Sequence, residues 1–205
     1  MIRVIWWLAL ALLAAVVIVA QIDRETSSRP ELSALVPEPF RGFAQPNMTM
    51  LSLAMGSPAD TQVEARTLVR RRPIPAENLY LLALADLNAG DKEAYARAFE
   101  VATTRGWRSV PVQIAAAEAA IGRGDAASAA PRVAAVWAVE GTNPASLALT
   151  EDLLALPSGP ESWGQVIAKT RVSPKAVRAT LERLTSADKA ARATAAARDA
   201  GMRFE

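Results

Sequence analysis

Hydrophobic and polar residues divide the chain into one long apolar run and a series of shorter helical patterns. Val4–Ala20 contains no charged or polar residue. Further along, apolar residues recur every three or four positions, as in residues 76–88 and 92–104. This spacing is typical of helices that are packed on one or two sides. The chain is also rich in Ala and poor in β-branched residues, which favours helix over strand. We therefore predict an all-α fold.

The first apolar run is long enough to cross a membrane. With Gln21 and Ile22 it makes about 19 residues, and a helix of that length spans about 28 Å, close to the hydrocarbon thickness of about 30 Å. Arg3 precedes the run and Asp23 follows it, so the positive-inside bias places the N-terminus in the cytoplasm. We predict a transmembrane anchor over residues 1–22, spanning the bacterial inner membrane with residues 4–22. The C-terminal domain would then be periplasmic.

A cleaved signal peptide is the competing interpretation of this run. Cleavage after Ala20 would need a small residue at Ile18, and cleavage after Ala15 would need one at Leu13. Neither position fits, which favours the uncleaved anchor. Residues 23–42 are rich in Ser, Pro and charge. Because dense prolines break helices and central strands, they predict an extended tether with at most one short helix.

A Gly-Asp pair, Gly90-Asp91, returns as Gly124-Asp125, a step of 34 residues from 90 to 124. Each pair lies between two helical patterns. The glycine suits the left-handed position after a helix, and the aspartate suits the N-cap of the next helix. The same step reaches Gly56 backwards from Gly90, and forwards from Gly124 it reaches Ser158, directly before Gly159. Repeats of this period predict a solenoid of helix pairs.

The period and the placement of small residues resemble the tetratricopeptide repeat over roughly residues 43–170, with two good copies inside. The usual Trp of the first helix is absent, and the outer copies near Gly56 and Gly159 fit poorly. Residues 171–205 are interpreted as a C-terminal capping pair of helices. The positions that match the repeat pattern are Pro73, Ala83, Gly90, Asp91, Phe99, Ala102, Ala117, Gly124, Asp125 and Ala129.

The resemblance implies that the first helices of the repeats line a concave groove that would bind a peptide or a helix of a partner protein. For Leu81, Leu84 and Ile114, simple packing between helices is the competing interpretation. The candidate groove residues are Glu77, Tyr80, Leu81, Leu84, Asn88, Ile114, Ala115 and Glu118.

The amino-acid composition excludes several kinds of catalytic and metal-binding site. The 205 residues include no Cys and no His, which excludes disulfides, thiolate nucleophiles, Cys/His zinc sites and His general bases within this chain. No phosphate-binding loop or close carboxylate pair stands out. We expect neither an enzyme nor a cofactor or metal protein. The formal net charge of +2 is too small to imply a polyanion partner for the whole chain.

Two basic segments leave alternatives open. Residues 166–184 resemble a helix-turn-helix whose second helix would present Lys175, Arg178 and Arg183 to DNA. The usual turn Gly is Arg171, however, and the predicted topology separates this segment from DNA. The arginines at 70–72 end a helical pattern, where they complement the helix dipole; contact with membrane headgroups is the alternative.

These observations favour a binding protein. We expect a membrane-anchored scaffold or assembly subunit of an envelope complex with one or more protein partners. The segments "RGW", "VPVQ" and "GRGD" are similar to those of anchored repeat proteins from alphaproteobacteria that are linked to surface-polysaccharide production. That resemblance implies an association with polysaccharide synthesis or export. A DNA-binding regulator is the alternative.

Overall fold

A computed structural model describes residues 2–141 and 143–204. Over these residues the chain is all-helical, with eleven α-helices, two 3₁₀ turns and no strand. It divides into two compact units, Met1–Ala102 and Thr103–Glu205, which are described separately. The α-helices are α1 (Ile2–Glu25), α2 (Ala44–Met55), α3 (Pro58–Arg71), α4 (Ala76–Asn88), α5 (Lys92–Arg105), α6 (Val110–Gly122), α7 (Ala126–Glu140), α8 (Pro144–Ala155), α9 (Gly159–Ile167), α10 (Pro174–Leu184) and α11 (Ala187–Asp199).

Helix α1 is long and apolar enough to cross a membrane. Its 24 residues include an 18-residue window of mean hydropathy 2.6, and none of that window is buried against the rest of the protein. At 1.5 Å per residue the helix is about 36 Å long. The rest of the first unit covers α1 near its C-terminal end. There Val19 and Ile22 are half-buried and Asp23 is buried.

The segment that follows α1 is folded, where the sequence predicts an extended tether. Helix α1 continues through Glu25, and two 3₁₀ turns follow, Pro30–Leu35 and Glu38–Phe40. Both turns pack against α1. The side chains of Thr26 and Val36 are buried, and the Thr26 carbonyl accepts a 2.9 Å hydrogen bond from Asn47 Nδ2. The prolines prevent longer helices here, but the segment still packs against α1 and α2.

In the first unit, α2, α3 and α4 pack on one another. Small or branched side chains at their contacts, among them Ala65, Leu68 and Ala83, are fully buried. Helix α5 joins α4 through aromatic rings: the Tyr80 and Phe99 centroids are 6.2 Å apart. Small buried residues let the helix backbones approach closely.

In the second unit, most helices pack on a neighbour in sequence and on the next helix but one. Helix α6 contacts α7 and α8, α7 contacts α8 and α9, and α8 contacts α9 and α10. Helix α11 packs on α9 and α10. A buried pair of indoles, Trp137 and Trp163, joins α7 to α9 edge to face at 5.8 Å. This pattern produces one continuous apolar core from α6 to the C-terminus.

The two C-terminal helices each begin after a serine N-cap. Ser173 caps α10 by accepting a hydrogen bond from the Ala176 N–H, and Pro174 takes the first helical position. Ser186 caps α11 in the same way. Val177 and Leu181 are buried on one face of α10.

Candidate binding surfaces

The two Gly-Asp turns have the same geometry. Gly90 and Gly124 adopt left-handed backbone angles, with φ of 81° and 73°. The N–H of the following aspartate donates to a carbonyl five residues back, at 2.9 Å to Asp86 and at 3.0 Å to Ala120. These are Schellman helix ends. The repeated Gly-Asp pair therefore gives the backbone the same local conformation at both turns.

Each aspartate of these turns caps the helix that follows. Asp91 Oδ1 accepts the Ala94 N–H at 2.9 Å, and Asp125 Oδ1 accepts the Ser128 N–H at 3.0 Å. Hydrogen bonds from the side chain and backbone of Ser128 lower the pKa of Asp125, and the nearby Arg123 adds to the effect. The charged form of Asp125 is thus the form that stabilises α7.

The outer glycines of the period have other roles. Gly56 has an extended φ of −86° and ends α2 directly before the Ser57 N-cap of α3. Gly159 is the first residue of α9, and a Cβ there would lie 1.8 Å from the Leu153 carbonyl oxygen. Gly56, a predicted repeat-turn residue, thus ends a helix as Gly90 and Gly124 nearly do, but its backbone is extended and not left-handed. A Ser cap and a Pro at the first helical position reverse the chain there without a left-handed residue.

A second periodic feature escaped the sequence analysis. Near the start of α4, α6 and α8 a buried polar side chain donates to a carbonyl of the preceding loop. Asn78 Nδ2 bonds Arg72 O at 2.8 Å, Gln113 Nε2 bonds Gly106 O at 2.7 Å, and Ser146 Oγ bonds Gly141 O at 2.7 Å. The three positions are 35 and 33 residues apart. Because the residue type differs each time, the sequence alone does not reveal the equivalence.

On α4 the candidate groove residues divide into exposed and packed. Glu77 and Asn88 are exposed, while Leu81 and Leu84 are half-buried. Tyr80 is also half-buried and packs on Phe99 of α5, which itself stacks on Tyr95 at 5.4 Å. The neighbouring Asp86 is buried and accepts a 3.0 Å hydrogen bond from Gln62 Nε2. Among the candidates on this helix, Glu77 and Asn88 are those that a partner could contact without unpacking it.

On α6 the candidates divide in the same way. Glu118 is exposed, and Ile114 and Ala115 are half-buried. Ile114 packs against the core of the second unit. Because α4 and α6 belong to different units, each face is a separate candidate surface.

An apolar cleft on the first unit was not predicted. It lies between α3 and α4, encloses about 400 Å³, and is lined by Val63, Arg66, Val69, Arg70 and Leu82. Val63 is 62% exposed. On α3 the lining positions follow a spacing of three and four residues, a signal that was present in the sequence but hidden by Arg66 between the two valines. The cleft offers an apolar floor between cationic side chains.

The joint between α1 and the start of α2 was also missed. The Asp23 carboxylate accepts backbone N–H groups from Gly42, Phe43 and Ala44 at 2.9 to 3.1 Å. Ala44 is the first residue of α2 and Phe43 is its N-cap, and N–H groups at the start of a helix have no partner within the helix. A carboxylate at a helix N-terminus is also favoured by the helix dipole. Asp23 therefore fastens the end of α1 to the start of α2.

A cationic side chain stabilises the start of the second unit. Arg132 Nη1 donates to Thr103 O at 2.9 Å and to Gln113 Oε1 at 3.2 Å, and its guanidinium lies 4.0 Å from the centre of the Trp107 ring. Burial lowers the pKa of Arg132 from its ordinary value, yet an arginine remains charged in proteins. These contacts give Arg132 a structural role.

The basic helix of the DNA-binding alternative is α10. Lys175 and Arg183 are exposed, whereas Arg178 forms a 3.0 Å ion pair with Glu182 one turn along the same helix. Helix α10 packs on α8 and α11, and the six residues from 168 to 173 separate it from α9. A typical helix-turn-helix has a turn of about three to four residues.

Across residues 2–141 and 143–204, no group of three acidic side chains lies together as a set of metal ligands. The expectation of no metal stays a prediction.

Comparisons with known proteins give no relative for this chain. No family model matches it, and neither the curated proteins nor the solved structures include a significant match. Function must therefore be argued from the surfaces and from α1.

Proposed function

We propose that this chain is a membrane-anchored binding scaffold whose helical domain lies in the periplasm and holds protein partners of an envelope complex. The observation that carries the proposal is α1: an exposed apolar helix fastened to a helical domain by the buried Asp23 carboxylate. An exposed apolar helix of this length needs a membrane to cover it. The joint argues that α1 belongs to the working protein, against the signal-peptide interpretation.

The domain is proposed to be a solenoid of helix pairs similar to tetratricopeptide repeats. In the second unit, α6, α7 and α8 each contact the following helix and the next but one, which supports this arrangement. The equivalent turns at Gly90 and Gly124 support it as well. At the positions where the repeat needs small residues, Ala83, Ala102, and Ala117 are fully buried.

Binding, rather than catalysis, is the activity proposed for this domain. Repeats of this kind present elongated surfaces to extended peptides or helices. Glu77 and Asn88 on α4, Glu118 on α6, and the apolar cleft beside Val63 are the available contact positions. The most specific process we propose is surface-polysaccharide synthesis or export, which rests on the sequence resemblance alone.

The experiment that tests the anchor and its orientation is a pair of C-terminal fusions in the bacterium. One fusion carries alkaline phosphatase, which is active only in the periplasm. The other carries a fluorescent protein that folds only in the cytoplasm and therefore reports a cytoplasmic C-terminus. We expect phosphatase activity, in a membrane fraction that resists alkaline extraction. A cytoplasmic C-terminus would overturn the proposal and favour the DNA-binding alternative, for which exposed Lys175 and Arg183 would be available. A soluble periplasmic product that lacks α1 would establish a cleaved signal peptide.

A further inference from the structure

We infer that one end of the first unit rests in the lipid headgroup layer of the membrane that α1 crosses. We call this region the anchor-end surface and define it by Leu35, Phe40, Phe43, Arg70, Arg72 and Ile74. The inference rests on the proposed anchoring role of α1. Its ligand is an anionic phospholipid surface.

The position of this surface follows from contacts with α1. The 3₁₀ turns that carry Leu35 and Phe40 pack on α1, which is covered at Val19 and Ile22. Both lie within the last four residues of the predicted span. With residues 4–22 in the hydrocarbon, side chains beside Ile22 lie at the membrane interface, whose polar layer is about 5–8 Å thick on each side.

The Asp23 joint keeps the first unit from moving away from this position. Five contacts of 2.9 to 3.1 Å join the carboxylate to the N–H groups of Gly42, Phe43 and Ala44. A Cβ at Gly42 would lie 3.1 Å from Asp23 Oδ2, so the backbone approaches the carboxylate closely. The N-terminal end of α2 is thereby held beside the end of the membrane helix.

The end of α3 lies at the same place. Arg71 Nη1 donates to Gln45 Oε1 at 2.9 Å and to Arg41 O at 3.0 Å. The Arg72 guanidinium lies 4.7 Å from the centre of the Phe43 ring. These contacts bring the loop after α3, including Ile74, to the end of the unit where α1 leaves the membrane. The turn from α2 to α3 lies at the other end of α2, about 17 Å away for a helix of 12 residues.

The composition of the anchor-end surface fits a lipid interface. Leu35 is 67% exposed, Phe40 is 40% exposed and Ile74 is 82% exposed, although each is apolar. Aromatic and apolar side chains favour the interface, and arginines beside them reach lipid phosphates. Residues 23–43 and 70–74 together hold six arginines and four acidic residues. Of the four carboxylates, Asp23 is enclosed by backbone N–H groups and Glu38 pairs with Arg71 at 3.8 Å.

The chain contains no cysteine, so single cysteines can report on the full-length protein. Ile74→Cys reports on the anchor-end surface. Met55→Cys is its matched control, because Met55 is equally exposed at 82% but lies at the far end of α2. Leu12→Cys reports on α1. Each variant is spin-labelled in vesicles of phosphatidylglycerol and phosphatidylcholine, and its collisions with oxygen and with a water-soluble nickel chelate are measured.

We expect the label at position 74 to collide with the nickel chelate several-fold less often than the label at position 55. Replacing phosphatidylglycerol by phosphatidylcholine should raise the collision rate at position 74 and leave position 12 unchanged. Equal nickel accessibility at positions 74 and 55, with position 12 buried in lipid, would overturn this inference but leave the proposed anchor intact. If the lipid exchange leaves the collision rate at position 74 unchanged, the preference for anionic lipid is overturned. A water-accessible label at position 12 would overturn the anchor and this inference together.

Discussion

Two single residues, Gly90 and Gly124, mark the turns between consecutive helices most clearly. Their left-handed backbone angles follow from a simple rule, because a side chain in that region is strained and glycine is not. The rule does not extend to every glycine in the period. Gly56 shares the spacing but is extended, since the Ser57 cap and Pro58 already determine how the next helix begins. Spacing predicts where the chain turns, and the neighbouring residues decide how it turns.

Replacing either turn glycine by alanine should destabilise the protein. A Cβ at Gly90 or Gly124 meets no atom within 4 Å, so the cost is the backbone strain alone, about 1–2 kcal/mol. Chemical denaturation monitored by circular dichroism measures it. Gly122→Ala is the control, since that glycine is helical and its Cβ also points into open space; it should stabilise by up to about 1 kcal/mol. A neutral effect of Gly90→Ala and Gly124→Ala would contradict the left-handed turns.

The Asp125 cap should make stability depend on pH. Hydrogen bonds from Ser128 lower the pKa of Asp125 below 3.8, so the folded state favours the carboxylate. Its stabilising effect is complete above pH 3.8 and is lost as the pH falls through the lowered pKa. Asn is also a good N-cap but does not titrate. The stability difference between wild type and Asp125→Asn should therefore change only below about pH 4, as measured by denaturation at a series of pH values. A difference that changes between pH 5 and 7 would contradict this assignment.

At the scale of elements, local patterns predicted the helices well. The expected helix over residues 76–88 coincides with α4, and the start expected at Lys92 coincides with that of α5, because caps and apolar spacing act within one turn. The contacts between distant elements were not predictable in this way. Asp23 reaches the N-H groups of residues 42–44, about 20 positions on, and nothing in the local sequence distinguishes it from a solvated charge at the end of an anchor.

Removing the Asp23 side chain should loosen the joint between α1 and α2. Asp23→Ala leaves the N–H groups of Gly42, Phe43 and Ala44 without their acceptor, at a cost of about 1–3 kcal/mol. Hydrogen exchange of the full-length protein in detergent should show lost protection over residues 26–48, with the second unit unchanged. Glu25→Ala, a neighbouring exposed carboxylate, is the matched control. Unchanged protection in Asp23→Ala would show that the joint contributes nothing to the fold.

The close contact of α9 with α11 depends on a single glycine. A Cβ at Gly164 would lie 2.2 Å from the Ala193 carbonyl oxygen and 3.0 Å from the Ala196 Cβ. Gly164→Ala must separate the two backbones, and such overpacking costs about 1–3 kcal/mol or more. The midpoint of thermal unfolding should fall, whereas Gln165→Ala, at the exposed neighbouring position, should leave it almost unchanged. Equal midpoints for the two variants would contradict the packing of these helices.

For the whole molecule, the sequence predicts the class of fold better than it predicts the site. An all-helical chain and a helix able to span a membrane follow from composition and hydropathy, and both are present. The groove residues came from the family resemblance, which specifies a surface position but not the local packing. Tyr80 shows the difference, since it packs on Phe99. The cleft beside Val63 depends on how α3 and α4 meet, which no local pattern encodes.

We propose that this protein holds partners at the membrane, and native co-purification puts that proposal to the test. The full-length protein would be isolated from native membranes in mild detergent, and its bound proteins identified and quantified by mass spectrometry. We predict envelope proteins in near-equal amounts, lost from a Val63→Asp variant, which places a charge on the apolar cleft, and retained by Met55→Asp, which changes an exposed residue outside that cleft. Recovery of the protein alone, under conditions that keep known membrane complexes intact, would contradict the scaffold.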